Sequence, residues 1–299
     1  MTTPRLIALP HLAILDISGD DAQAFLHAQV PSDIRKLDIN SAQISGWCTA
    51  KGRLLTTFVI WPNESGYRLV LASDVRDAIA KRLKMFVLRL KVQVTPSTDL
   101  VYGLLDPSAQ LGDLVLPTAD WQVSRNNDMT ALRLDATRVL LTAPESNSGL
   151  LAQECSTATP DDWYRSDIAM GFPLVTQATS EHYVPQMVNL DKLGGVSFKK
   201  GCYPGQEIVA RTHYLGKIKR HLYRIRSSEP LLAGSEVRSA VLNGQSCGSV
   251  LSAAPSLDGQ TWEALAVLQQ DAAAGAVFIL NDSHEQAIHV IDLVLPEEA

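Results

Sequence analysis

The stretch that decides the fold is Leu12-Ala13-Ile14-Leu15-Asp16-Ile17-Ser18-Gly19-Asp20-Asp21-Ala22, in which a strand passes directly into a helix. Its apolar first half is bounded by Pro10 and Gly19, which predicts a strand. The two aspartates that follow favour the start of a helix through Phe25 and Leu26, because acidic side chains are stabilised at a helix N-terminus. We therefore expect a strand–helix unit near the start of the chain.

The same alternation continues toward residue 98. Strands are predicted on both sides of Lys51-Gly52, and Ser73 is predicted to cap an amphipathic helix after a further strand. The predicted elements are strands at 44–48, 54–61, 67–71 and 92–94 and a helix at 75–87. This order predicts a ferredoxin-like α/β module over about residues 1–98, and a weaker repetition from Val101 predicts a second module over about 99–220.

The character of the sequence changes after about Arg220. Short apolar runs are separated by turn residues, and Asn243-Gly244 is typical of a tight hairpin. Several short strands of this kind predict a small antiparallel β-barrel. We therefore expect an α+β region at 1–220 and a barrel domain at 221–299.

The composition is that of an ordinary globular protein with 299 residues, 46% of them hydrophobic, and a formal net charge of −6. An acidic chain is a poor generic nucleic-acid binder unless its positive charge is local. The four cysteines are far apart, so we predict no metal site and reduced thiols in the cytoplasm; they are Cys48, Cys155, Cys202 and Cys247. No signal peptide and no membrane span are predicted.

Positive charge is concentrated between Lys199 and Arg226. This basic stretch contains eight basic residues and one acid, Glu207, so it carries +7 and the remainder of the chain carries −13. Aromatic and polar side chains, among them His213 and Tyr214, alternate with the charge. That alternation favours an anion-binding role over a solvated basic face.

One thiol lies within the basic stretch, in the run Lys199-Lys200-Gly201-Cys202-Tyr203-Pro204-Gly205-Gln206-Glu207. Glycine and proline punctuate the backbone around Cys202, and such a turn can lift a side chain out of the interior. Pro204 is expected in the first turn of a helix that continues through Arg211. A helix N-terminus and two lysines both stabilise a thiolate, so Cys202 is predicted to be reactive and not a small buried hydrophobe.

The run belongs to a longer signature that closely resembles that of the YgfZ proteins, folate-binding relatives of the aminomethyltransferase of the glycine cleavage system. The matching residues around it are Pro185-Gln186, Asn189-Leu190, Gly194-Gly195-Val196-Ser197-Phe198, Ala210-Arg211 and Thr212-His213-Tyr214-Leu215-Gly216. Similar segments around Phe25 and Lys51 extend the resemblance over most of the chain.

The resemblance implies a GcvT-like fold: two α/β modules around a central folate channel and a C-terminal β-barrel. It implies tetrahydrofolate or a one-carbon derivative as cofactor, and a role in assembly or repair of iron–sulfur clusters in client enzymes, including a tRNA-methylthiolating enzyme. It makes Cys202 and Lys200 the catalytic residues, framed by Tyr203, Gly205, Gln206, Glu207 and Arg211.

Some positions depart from these relatives. The aminomethyltransferases carry an aspartate where this chain has Thr56 and Thr57, and a hydroxyl cannot replace a carboxylate in methylene transfer at neutral pH. The family's folate-stacking tryptophan matches Trp163, which is otherwise a core aromatic. A second family tryptophan falls at Leu12, and the pterin-recognising glutamate falls at Ala169. Leu12 and Trp163 are thus the predicted cofactor-binding residues, with shape and backbone groups contributing more than in the relatives.

Three functions remain open. The first is a folate-binding accessory protein for iron–sulfur enzymes that acts through Cys202 and need not turn over a substrate by itself. The second is a tetrahydrofolate-dependent one-carbon (aminomethyl) transferase. The third is a module that makes a weak contact with tRNA, or docks on a protein partner, through the basic stretch.

Overall fold

The computed structural model describes residues 3–126, 128–216, 218–281 and 284–294. The strands are β1 Arg5–Ala8, β2 Leu12–Ser18, β3 Gln43–Cys48, β4 Leu54–Asn63, β5 Gly66–Ala72, β6 Gln93–Pro96, β7 Leu100–Leu105, β8 Gln110–Leu111, β9 Leu114–Val115, β10 Val123–Asn126, β11 Met129–Asp135, β12 Arg138–Ala143, β13 Ser156–Thr157, β14 Arg220–Ser227, β15 Glu236–Ser239, β16 Gln245–Pro255, β17 Trp262–Gln269, β18 Val277–Leu280 and β19 Glu285–Leu293. The helices are α1 Ala22–Gln29, α2 Arg76–Val87, α3 Ser148–Glu154, α4 Pro160–Met170, α5 Gln206–Tyr214 and α6 Gln270–Ala273. Short 3-10 helices span Ile34–Lys36, Glu145–Asn147, Gln177–Thr179, Pro185–Val188 and Ala240–Leu242. No helix within the described residues is long and apolar enough to cross a membrane.

The chain divides into two units. The first unit contains residues 1–45 and 58–163, and the second contains residues 46–57 and 164–299. Strands β3 and β4 therefore each continue from one unit into the other. The domain division at residue 220 stays a prediction.

A five-stranded antiparallel sheet has the order β3-β4-β5-β2-β6. Along the chain, β2-α1-β4-β5-α2-β6 is the βαββαβ order of a ferredoxin-like module, and β3 is an added edge strand. Its opening follows the sequence prediction, since β2 begins at Leu12 and α1 begins at Ala22. The predicted cap at Ser73 is wrong: Val75 occupies the N-cap position without a side-chain hydrogen bond, and the Ser73 carbonyl accepts a hydrogen bond from Arg76 N.

The second sheet of the first unit is six-stranded, with the order β10-β11-β12-β7-β1-β13. Strand β1 pairs antiparallel with β7 and parallel with β13, so the first strand of the chain lies inside a sheet built mostly from later residues. Buried apolar side chains from this sheet, including Leu104, Val139 and Leu141, form a core with Leu151 of α3. This burial of apolar area stabilises the sheet.

The second unit contains a closed antiparallel barrel with the strand order β14-β17-β16-β15-β18-β19. Its interior is filled by fully buried side chains such as Ile225, Val237 and Leu268. Asn243 and Gly244 both have the positive φ expected of a hairpin turn, although they end a five-residue connection from Ser239 to Gln245. The predicted fold class, α+β with a C-terminal antiparallel barrel, is confirmed.

Candidate functional site

Cys202 lies in the loop that leads into α5, and it is exposed. The next residue, Tyr203, is only 7% exposed. Gly205 occupies the N-cap position with φ 82°, and α5 begins at Gln206. Pro204 therefore precedes the cap and is not in the first helical turn as expected, because the left-handed backbone at Gly205 separates it from the helix.

Gly205 lies against the turn between β3 and β4. A Cβ atom at Gly205 would be 2.5 Å from the Thr49 carbonyl oxygen and 2.6 Å from Gly52 Cα. The turn itself is closed by a 2.9 Å hydrogen bond from Gly52 N to the Thr49 carbonyl. Only glycine at position 205 allows both the positive φ and this backbone approach, so the loop carrying Cys202 is held at its C-terminal end.

Tyr203 fixes the loop from within. Burial raises the pKa of the Tyr203 hydroxyl, with a further contribution from the nearby Cys48 thiol. Burial also raises the pKa of Cys48 to about 12, so this thiol stays protonated and unreactive at neutral pH. The Lys200 ammonium lies 5.4 Å from the centre of the Tyr203 ring, within the range of a cation–π contact. Neighbouring residues thus point to opposite environments: Cys202 to solvent and Tyr203 to the interior.

Helix α5 is anchored to the 3-10 helix at Pro185–Val188. Gln186 Nε2 donates a 2.7 Å hydrogen bond to the Val209 carbonyl, and both residues are buried. Glu207 and Arg211 are exposed on the same helix, and Gln206 is half-buried. Of the predicted frame, Tyr203 therefore faces the interior and Gly205 lies against the β3–β4 turn, whereas Glu207 and Arg211 face solvent. The sequence match included Gln186, but nothing in the sequence indicated its role as the anchor of α5.

Thr56 and Thr57 lie on β4 and are fully buried. Thr57 Oγ1 donates to the Pro173 carbonyl at 2.8 Å and accepts from Val175 N at 2.9 Å. The Thr57 hydroxyl is thus committed to the backbone of the 173–175 segment. A hydroxyl is not a base at neutral pH, so Thr57 cannot replace a carboxylate as a proton acceptor.

The chain is similar to a known protein over nearly its whole length. No protein-family model matches the chain. A tRNA-modifying protein YgfZ from Sodalis glossinidius (strain morsitans) is 32% identical, and the match covers 95% of this chain and 91% of that protein.

The chain belongs to the YgfZ family.

Among solved structures, the glycine cleavage system aminomethyltransferase T from Bartonella henselae is similar in fold. The TM-score is 0.71 at 17% identity, and the match covers 97% of this chain and 86% of the aminomethyltransferase chain. At this identity the likeness concerns the fold alone. This YgfZ-family protein is therefore GcvT-like in architecture.

The predicted cofactor residues lie in the first unit, away in sequence from the Cys202 loop of the second. Trp163 is 2% exposed, and a Cβ at Gly103 would be 2.2 Å from its ring. The Arg138 guanidinium is 5.7 Å from the Trp163 ring centre. Leu12 is half-buried at the start of β2. In this arrangement Trp163 has the packing of a core aromatic, and its contact with folate stays a prediction.

An aromatic cluster that the sequence did not reveal lies next to the motif. Phe198 and His213 stack with ring centres 3.7 Å apart and an interplanar angle of 13°. Tyr214 meets the His213 ring edge-on at 4.7 Å. His213 and Tyr214 end α5, whereas Phe198 precedes the cysteine loop, so no local periodicity connects them.

The basic stretch divides into two parts. In the barrel, Arg224 forms an ion pair with Asp292, and Arg226 with Glu263. Lys199, Arg211 and Lys219 form no ion pair within the part of the chain that the structure describes. The same described residues contain no group of three or more histidine, cysteine or acidic side chains arranged to hold a metal ion.

Proposed function

We propose that this YgfZ-family protein is a folate-binding accessory protein for the assembly or repair of iron–sulfur clusters in cytoplasmic client enzymes, including tRNA-methylthiolating enzymes. The observation that supports it best is one exposed thiol, Cys202, in a loop whose neighbours are fixed. Tyr203 is buried beside Cys48, and Gly205 lies against the β3–β4 turn. Because the residues next to Cys202 are already held in place, the loop loses little conformational entropy when the exposed sulfur meets a partner.

Each motif residue has a distinct part in this proposal. Cys202 provides the sulfur that contacts a labile cluster or a sulfur species of the client, because a thiolate is both a nucleophile and a metal ligand. Lys200 adds positive charge beside it and is steadied by the Tyr203 ring. Gln206, Glu207 and Arg211 lie on α5, which Gln186 anchors. In this proposal the polar groups of these three residues contact the client.

Folate is proposed as cofactor because the curated relative is a YgfZ protein and the fold is that of an aminomethyltransferase. Of the two residues predicted to contact it, Trp163 fits less well, since its ring is already packed on Gly103 and near Arg138. We therefore assign folate no step in the work of Cys202. Calorimetric titration with tetrahydrofolate tests this part alone, and the absence of any binding would remove folate from the proposal.

A one-carbon transferase is not supported. Thr56 and Thr57 stand where the relatives carry the catalytic acid, and the Thr57 hydroxyl bridges the Pro173 carbonyl and Val175 N. No proton acceptor for methylene transfer is left there.

The essential thiol is tested in cells that lack the endogenous protein. Cys202→Ala is expected to lower the methylthiolated nucleoside content of tRNA, measured by mass spectrometry, to the level of the deletion strain. Cys155→Ala is the matched control, because Cys155 is another free, partly accessible thiol whose pKa is raised by burial and by Glu154. Full activity of Cys202→Ala, at equal protein level, would refute the proposal.

A further inference from the structure

Some cations of the basic stretch are held in ion pairs among the described residues, and others are not. The two barrel arginines nearest its C-terminal end are neutralised by carboxylates from neighbouring strands that are distant in sequence, Arg226 through a 2.7 Å contact with Glu263. Lys199 and Arg211 are exposed and form no ion pair among residues 3–126, 128–216, 218–281 and 284–294. These two cations therefore lie next to the Cys202 loop and on α5, on a chain whose net charge is −6. The one acid of the stretch, Glu207, lies one turn before Arg211 on α5, but no ion pair joins these two described residues.

Aromatic rings accompany these free cations. Lys199 directly follows Phe198, whose ring stacks on His213. Arg211 and Tyr214 are three positions apart on α5, which places them on one helix face. Tyr214 is 66% exposed although it is a large aromatic residue at the end of the helix. Tyr214 also meets the His213 ring edge-on, so it joins the Arg211 side of α5 to the ring stack, although Arg211 and His213 themselves point to different sides of the helix. We call Phe198, Lys199, Arg211, His213 and Tyr214 the aromatic–basic face.

We propose that the aromatic–basic face binds single-stranded RNA, with an unpaired base stacked on the aromatic cluster and the phosphates beside Lys199 and Arg211. This extends the proposed function and rests on it for the choice of RNA, since clients that methylthiolate tRNA act on an RNA substrate. The face gives the protein a direct contact with the client's substrate.

The chemistry of the face favours a nucleic acid over an acidic protein. The carboxylates of an acidic protein would pair with the cations, but they would not stack on the exposed aromatic rings. Unpaired bases extend such a stack, and each stacked base contributes a sequence-tolerant increment to binding. A duplex hides its base faces, so it offers the phosphates only. Single-stranded RNA is the ligand that uses both components.

Fluorescence anisotropy with a labelled oligouridine of about 12 nucleotides tests the proposal. The full-length protein is expected to bind it, and Tyr214→Ala is expected to weaken binding by about 5-fold or more, the loss of one stacked base. Tyr214→Phe keeps the ring and should bind like the wild type. Arg211→Gln should weaken binding and make the slope of log K against log salt less negative by about 0.7.

Arg226→Gln is the matched control for charge. It removes the same charge from the same basic stretch, but from an arginine paired with Glu263, so the affinity and the salt slope should stay at the wild-type values. A duplex formed by two complementary RNA strands of similar length has no unpaired bases, so it should bind more weakly than the oligouridine and should be insensitive to Tyr214→Ala.

The proposal is overturned if the oligouridine does not bind at about 50 mM salt. It is equally overturned if Tyr214→Ala binds like the wild type while Arg211→Gln does not, since the contact would then be electrostatic without stacking. Cys202→Ala is expected to bind RNA normally. A failure of RNA binding alongside a phenotype for Cys202→Ala in cells would therefore remove the RNA face and leave the essential thiol in place.

Discussion

Replacement of Gly205 by alanine should cost more stability than replacement of any other glycine near the cysteine loop. The left-handed backbone at φ 82° costs a residue with a Cβ roughly 1–2 kcal/mol. The new methyl group would also lie 2.5 Å from the Thr49 carbonyl oxygen and 2.6 Å from Gly52 Cα. Both are backbone atoms, so no side-chain rotation relieves the overlap, and overpacking of this kind costs about 1–3 kcal/mol. We expect a total near 3 kcal/mol.

Two neighbouring glycines separate these contributions. Gly194 has φ 80° but nothing within 4 Å of an added Cβ, so Gly194→Ala should cost only the backbone component, about 1 kcal/mol. Gly201 adjoins Cys202, has an ordinary φ and has equally open surroundings. Gly201→Ala should therefore be neutral, or stabilising by a few tenths of a kcal/mol.

Urea unfolding of the three variants measures the free energies of unfolding, and the rate of Cys202 modification by a disulfide reagent reports the loop position. Gly205→Ala should change both, because the loop must move away from the β3–β4 turn. The reasoning is refuted if the free energy of unfolding of Gly205→Ala lies within about 0.5 kcal/mol of that of Gly201→Ala.

The remaining predictions concern buried polar groups of the second unit. Thr57→Val keeps the shape of the side chain but leaves a buried carbonyl and a buried N–H without their hydroxyl partner. Urea unfolding should therefore show a fall of about 2–4 kcal/mol in the free energy of unfolding, whereas Thr57→Ser, which keeps the hydroxyl, should show a fall of about 1 kcal/mol. Equal falls for the two variants would contradict the bridging role. The pKa of Cys48 is raised from 9.0 to about 12 by burial, so its contribution to stability is complete below pH 9 and is lost as the pH rises from 9 toward 12. Between pH 8 and pH 10, the free energy of unfolding of the wild type should therefore fall by on the order of 1 kcal/mol more than that of Cys48→Val. Parallel pH profiles of the two proteins would contradict the raised pKa of this buried thiol.

The sequence predicts most of what is local. Strand β2 and helix α1 begin within a few residues of the predicted positions, because apolar spacing and the two aspartates act over one or two turns of chain. The sequence places Pro204 in the first turn of α5, which is wrong, because this boundary does not depend on local sequence. That boundary is set by the contact of Gly205 with Gly52, two residues far apart in sequence whose approach only the folded chain brings about.

The site shows the same limit. The absence of a carboxylate at Thr56 and Thr57 was visible in the sequence, but the two backbone partners of Thr57 lie 116 and 118 residues away. Residue identity thus indicated that the transferase acid was missing. The hydrogen bonds indicate what the threonine does in its place, which is to join β4 to the 173–175 segment.

The basic stretch shows why net charge in sequence is a poor measure of an electrostatic surface. Arg224 and Arg226 alternate along β14 with buried residues, and their carboxylate partners come from β19 and β17, which flank β14 in the barrel. Closing the barrel therefore neutralises charge that the sequence counts as free. Helix α5 lies before the barrel, and Arg211 forms no ion pair among the described residues, although Glu207 lies one turn before it. Within the basic stretch, Lys199 and Arg211 thereby keep their positive charge exposed next to the cysteine loop and the aromatic cluster, whereas the charges of Arg224 and Arg226 are paired with carboxylates.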